Sequence, residues 1–108
     1  MTSTHSRPIS EQTVIVTGGG RGLGAAIAEA FAREGAQVAI NYRASRDAAE
    51  ALAGRLGGRT KAFQADMRDK ADVKRLVGEV EARFGAPTSV IHNALTAFSF
   101  NGDASTKL

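Results

Sequence analysis

The 108-residue chain has no cysteine, which excludes a disulfide framework, a thiolate metal site and a cysteine nucleophile. A reducing, cytoplasmic setting is the compatible expectation. No stretch approaches the ~20 consecutive apolar residues that a membrane-spanning helix requires. Residues 1–11 form a polar leader without an apolar core of signal-peptide length, so no membrane partner is expected. Charge of one sign is also missing. The 14 basic residues against 11 acidic ones leave a net +3 with no basic block, a poor footprint for nucleic acid. Tyrosine occurs once, at Tyr42, which limits where a phenolic proton donor could come from.

What is there is an alternation of short β-branched runs and one-faced helical patterns, with enough apolar content (43%) for one small core. Thr13 to Thr17 ends abruptly in Gly18-Gly19-Gly20, as a buried strand feeding a tight turn does. Leu23, Ala26, Ile27, Ala30 and Phe31 then fall at the i, i+3, i+4, i+7, i+8 positions of a helical stripe that Gly35 stops. A second strand is expected over 37–41, followed by a helix capped by Ser45, with Ala49, Leu52, Ala53 and Leu56 on one face. A third strand over 61–64 leads through Asp66-Met67 to a helix with Asp69 as its cap. Val73, Leu76, Val77, Val80 and Phe84 are its buried stripe, and Gly85 and Pro87 end it. Ser89 to His92 reads as a fourth strand, and residues 96–108 as the start of a loop.

Strands that alternate with helices need crossover connections, which makes the expected fold α/β, a parallel sheet with helices on both faces. Right-handed crossovers allow few arrangements, and 3-2-1-4 is the order expected among them. That order sets the glycine loop at the carboxyl end of strand 1, beside the switch point where open α/β sheets bind ligands.

The chemistry is concentrated in Thr17-Gly18-Gly19-Gly20-Arg21-Gly22-Leu23-Gly24, between a strand and an amphipathic helix. Glycine lets a backbone take positive φ and lets a diphosphate approach its N–H groups, while the helix N-terminus offers unpaired donors and a favourable dipole. A phosphate loop of the NTPase kind would need lysine and a hydroxyl residue after the last glycine, and Gly24 is followed by Ala25-Ala26.

The spacing of Thr17, Gly18, Gly22 and Gly24 instead resembles the cofactor motif of the short-chain dehydrogenase/reductase family, and the likeness runs from strand 1 to strand 4. It implies that residues 12–95 form a Rossmann-type dinucleotide-binding half. By the same resemblance, Asp66 would accept from the adenine amino group and Met67 would lie against the base. His92-Asn93-Ala94-Leu95 is similar to the family's Asn-Asn-Ala-Gly, keeping Asn93 and Ala94. Leu95 replaces the glycine there, and His92 reads as a hydrogen-bonded core histidine.

An NAD-selective domain of this type carries Asp or Glu at the end of strand 2, where the carboxylate meets the ribose 2′-hydroxyl. This chain has Asn41-Tyr42-Arg43-Ala44-Ser45 there. The absent acid, together with Arg43 and with Arg21 in the glycine loop, favours NADP(H), whose 2′-phosphate suits a guanidinium. The expected cofactor-binding set is Gly18, Arg21, Gly22, Leu23, Gly24, Tyr42, Arg43, Asp66, Met67, Asn93 and Ala94.

Asn41-Tyr42-Arg43 also resembles the 3-oxoacyl-(acyl-carrier-protein) reductase branch. That likeness implies a small-molecule carbonyl or 3-oxoacyl thioester as substrate, acyl carrier protein as a partner, and a homo-oligomer when intact. Members of the family are more than twice as long, and their catalytic serine and Tyr-x-x-x-Lys pair follow strand 4. Here Tyr42 is followed four residues later by Arg46, and no tyrosine precedes Lys107 at that spacing. The expectation is therefore a cofactor-binding fragment of an NADP-dependent reductase, inactive alone, with no catalytic and no metal-ligating residue. A non-catalytic NADP sensor module and an α/β interaction domain that binds no nucleotide are the alternatives.

Overall fold

The computed structural model describes residues 8–18 and 20–93. Four strands, β1 (Thr13–Thr17), β2 (Gln37–Tyr42), β3 (Thr60–Gln64) and β4 (Ser89–His92), alternate with three helices, α1 (Gly22–Arg33), α2 (Arg46–Leu56) and α3 (Lys70–Phe84). All pairings are parallel and the order is the expected β3-β2-β1-β4. β2 and β3 each extend one residue beyond the expected strands, to Tyr42 and back to Thr60. Residues 9–11 of the polar leader form a short 3-10 turn. It is tied down where Arg59 donates to the carbonyls of Gly35 at 3.1 Å and Ser10 at 3.4 Å. The expected loop at 96–108 lies outside the described residues. Among the described residues, no helix is long and apolar enough to cross a membrane.

The sheet is covered on both faces, which is why its inner strands read as unbroken apolar runs rather than alternating ones. On one face Val14, Val16, Val38 and Ile40 meet Ala28 of α1 and Ala49, Leu52 and Ala53 of α2. On the other, Ile15, Ala39 and Phe63 meet Leu76 and Val80 of α3. Phe63 and Phe84 close that second core edge to face, with ring centroids 6.3 Å apart.

Two local expectations are corrected. The face that α1 turns to the sheet is set by buried Gly24 and Ala28, with Ile27, Phe31 and Ala32 packed beside them, while Leu23 is 65% exposed and Ala26 and Ala30 face outward. The helix seats its smallest residues inward, because they let its backbone come close to β1 and β2. Ser45 stands at the N-cap of α2 but makes no capping hydrogen bond; its ψ of 58° is far from the extended value that folds a capping side chain back onto the first turn. Asp69 does cap α3, accepting from the N–H groups of Ala71 and Asp72.

Leu76 is the largest helical side chain with no exposed surface. Leu76→Ala should lower the free energy of unfolding by about 2–5 kcal/mol, a large part of a small domain's stability. Urea denaturation followed by circular dichroism checks it, and a loss well under 1 kcal/mol would contradict the packing described for α3.

Candidate nucleotide-binding site

At the carboxyl ends of β1 and β4 the chain is drawn together around Thr17, which is fully buried. Its Oγ1 accepts from the Asn93 N–H at 2.8 Å and lies 3.1 Å from His92 Nδ1. Asn93 Nδ2 donates in turn to the Gly18 carbonyl at 3.3 Å. His92 is therefore hydrogen-bonded as expected, but it is exposed rather than part of the core.

Gly18 has φ of 63° and Gly22 φ of 58°, values that L side chains rarely adopt, so the turn is built on residues without a Cβ. Gly24 has an ordinary φ and a different reason to be glycine. A Cβ there would overlap the Gly18 carbonyl oxygen and stand 2.7 Å from Asn93 Nδ2. The turn thereby folds over the start of α1, whose N-cap, Arg21, makes no side-chain cap hydrogen bond. The first-turn N–H groups keep their donor capacity for an anion.

A cleft of about 360 Å³ opens beside this turn, lined by Arg21, Ala44, Ser45, Arg46, Asp47 and Ala48. It brings the glycine turn against the N-terminus of α2. Two guanidinium groups against one carboxylate give the lining a net positive charge, and the uncapped α2 dipole adds to it. Arg46 also stands over the Tyr42 ring at 5.9 Å.

Across the sheet edge, Asp66 follows β3. Its carboxylate is gripped by Arg68, whose side chain and backbone N–H hydrogen-bond it and hold its pKa down from 3.8 to about 2, with Arg43 adding a smaller electrostatic push. Its own N–H donates to Asp72 Oδ2 at 2.9 Å.

Gly18, Arg21, Gly22, Leu23 and Gly24 are thus gathered at the end of β1, and Asn93 joins them from β4. Arg43 is exposed at the end of β2, on the side of Asp66. Tyr42 is 6% exposed with its ring in the α1/α2 core, and Met67 is half-buried against the α3 core. Ala94 lies outside the described residues. Sequence reasoning placed neither Arg46 nor Arg68 at this end of the sheet, and read Ser45 only as a helix cap. A usable signal for Arg46 was its position in the first turn of α2, where a cation opposes the helix dipole and needs another reason to be present.

A glycine-rich turn at the switch point of a 3-2-1-4 parallel sheet defines a Rossmann-type α/β unit. The family model for short chain dehydrogenases matches residues 12–105, and the chain belongs to that family of oxidoreductases. It is 40% identical over 91 residues to hydroxynaphthalene reductase arp2 of Aspergillus fumigatus, covering 81% of this chain and 33% of that protein. It is 37% identical over 86 residues to the 3-oxoacyl-[acyl-carrier-protein] reductase FabG of Staphylococcus epidermidis, covering 77% and 35%. Among solved structures, a blue fluorescent protein from a metagenomic library, in complex with NADPH, superposes with a TM-score of 0.71 at 34% identity, covering 78% of this chain and 36% of that one. The chain spans about a third of the length of the relatives it matches.

Two glycines provide a test of this geometry. Gly24→Ala should destabilise the domain by about 1–3 kcal/mol or more, because backbone must move to admit the methyl group. Gly54→Ala, on the exposed side of α2 with nothing within 4 Å of its Cβ, should stabilise it by up to about 1 kcal/mol. Matched denaturation curves decide, and similar midpoints for the two variants would refute the close approach at Gly24.

Proposed function

We propose that residues 12–95 hold NADP(H) for a reductase of the short-chain dehydrogenase family, whose intact form reduces a carbonyl such as a 3-oxoacyl thioester. The observation that carries the reading is the arginine-lined cleft, where two uncapped helix N-termini meet at the end of a glycine turn. A diphosphate lies on the first-turn N–H groups of α1, in the space that Gly24 keeps clear. Arg21 and Arg43, joined by Arg46 and the Ser45 hydroxyl, take the 2′-phosphate. No carboxylate stands at the end of β2 to favour a bare ribose; the first after it is Asp47, in the first turn of α2. Exposed Leu23 and the Asn93 amide flank the nucleotide, Ala94 follows them, and Asp66 with Met67 receives the adenine. The NADPH named in the complex of one structural relative supports the same cofactor, and the 3-oxoacyl reductase among the relatives supports the substrate class.

When bound, a nicotinamide nucleotide supplies the hydride. These 108 residues supply its cradle but no Tyr-x-x-x-Lys proton donor, so by themselves they give no turnover above background. A non-catalytic NADP-binding module is the second reading, and it rests on the same cradle. Acyl carrier protein, assembly into a homo-oligomer and a cytoplasmic setting belong to the reductase reading.

Isothermal titration should show tighter binding of NADPH than of NADH. Arg21→Ala or Arg43→Ala should each remove a charge-assisted contact worth on the order of 1.5 to 3 kcal/mol, from NADPH alone. Equal affinity for the two nucleotides, before and after the substitutions, would overturn the assignment.

A further inference from the structure

Arg68 belongs to no expected site, and an arginine whose side chain is 76% exposed ordinarily gains little from an ion pair. Here it closes a fork on one carboxylate. Its backbone N–H donates to Asp66 Oδ1 at 2.9 Å, its Nε to the same oxygen at 3.0 Å, and its Nη2 to Oδ2 at 3.1 Å. The backbone beneath is fixed as well. The Asp66 N–H is held by Asp72, the Asp66 carbonyl accepts from the Asp69 N–H at 3.0 Å, and Asp69 caps α3. Asp72 is steadied by Arg75, which also donates to the Gln64 carbonyl at 3.0 Å, just before the turn.

A carboxylate offers about four acceptor positions and, when ionised, no donor. Three are taken by Arg68: both on Oδ1 and one on Oδ2. What remains is one acceptor position in a fixed orientation. Such a group takes one N–H and repels a carbonyl oxygen set at the same place, so it distinguishes a purine's 6-amino group from a 6-oxo group; the N1–H of a 6-oxopurine lies to the side of that position.

We infer that Arg68 is a positioning residue that turns Asp66 into a reader of the purine's exocyclic group, selecting adenine over hypoxanthine or guanine. The inference rests on the cofactor reading above, which sets the adenine against Asp66. At neutral pH Asp66 is ionised with or without Arg68. The guanidinium therefore contributes orientation, and removing it frees the carboxylate to rotate away from its single useful position.

The test uses NADPH and its analogue with hypoxanthine in place of adenine, titrated into the unaltered protein, Arg68→Ala and Arg68→Lys, with NADH as a reference. The unaltered protein should prefer NADPH over the hypoxanthine analogue by about ten-fold or more. Arg68→Ala should lose most of that preference while keeping the NADPH over NADH ratio, and Arg68→Lys, with the charge but not the fork, should fall between. Equal melting temperatures confirm that the exposed substitutions leave the fold intact. Carboxyl NMR gives an independent readout. The Asp66 midpoint should lie near pH 2 and move toward 3.8 in Arg68→Ala, because pairing favours the ionised form above the ordinary value and that advantage is lost as pH falls through about 2. An unchanged adenine preference in Arg68→Ala, with NADPH still bound, overturns the inference and leaves the cofactor reading standing. Equal binding of the two purines by the unaltered protein also overturns it. Failure of the unaltered protein to bind NADPH overturns both.

Discussion

Between Gly18, Gly24 and Asn93 there is no room for one more carbon atom, and the ligand-facing end of the sheet is organised around that lack of room. The turn after β1 must reverse tightly enough to start α1 directly over its own carbonyl, which requires positive φ at Gly18 and a bare Cα at Gly24. Thr17 then ties the end of β4 to the end of β1 through the Asn93 N–H, and the Asn93 amide returns to Gly18. Strand, turn, helix start and neighbouring strand are one hydrogen-bonded unit. A methyl group at Gly24 would disturb all four together, because none can move without another.

Electrostatic character follows from the same backbone. Three helices begin at the carboxyl end of this parallel sheet, but they are finished differently. α3 is closed by Asp69, whose carboxylate satisfies two first-turn N–H groups and neutralises the helix dipole. α1 and α2 have no side-chain cap, and at both the nearby charge includes arginine. Cations at the positive end of a dipole raise the local potential and destabilise the helix slightly. At α2 the carboxylate of Asp47, in the same first turn, offsets part of that cost. Arg68, by contrast, directs its charge internally onto Asp66 and adds directionality rather than attraction.

Sequence patterns were most legible where size and burial agree. β1 and β4 were bounded correctly because β-branched runs ended in glycine or polar residues, and the observed strand order is the one expected from the glycine loop's place at a switch point, among the few that right-handed crossovers allow. The inward face of α1 was not legible, because Gly22 to Arg33 is small or apolar nearly all round. A stripe through Leu23 and a stripe through Gly24 and Ala28 satisfy the same spacing. Counting hydrophobicity rewards the larger residue, whereas close packing against a sheet rewards the smaller one, and here close packing won. Ser45 was misjudged for a related reason. Residue type nominates a cap, but ψ decides whether the hydroxyl reaches the first turn. In the site, glycine spacing was readable because backbone conformation demands it. The clustering of Arg21 with Arg46, and the Arg68 fork on Asp66, depend on how loops after different strands meet, and no periodicity encodes that.

The relatives sharpen what similarity over this stretch can mean. A hydroxynaphthalene reductase and a 3-oxoacyl-[acyl-carrier-protein] reductase resemble the chain almost equally, at 40% and 37% identity, although their names specify chemically different substrates. If these residues read substrate, the two should diverge from one another in their likeness to it. Their identities to it are nearly equal, and the family to which the chain belongs binds a nicotinamide cofactor. Each is matched over only about a third of its length. Binding residues in α/β folds sit on the loops that follow the strands, and the loops described here follow β1, β2 and β3 with the first residue after β4. They gather at the glycine turn and at Asp66, at the carboxyl end of one sheet.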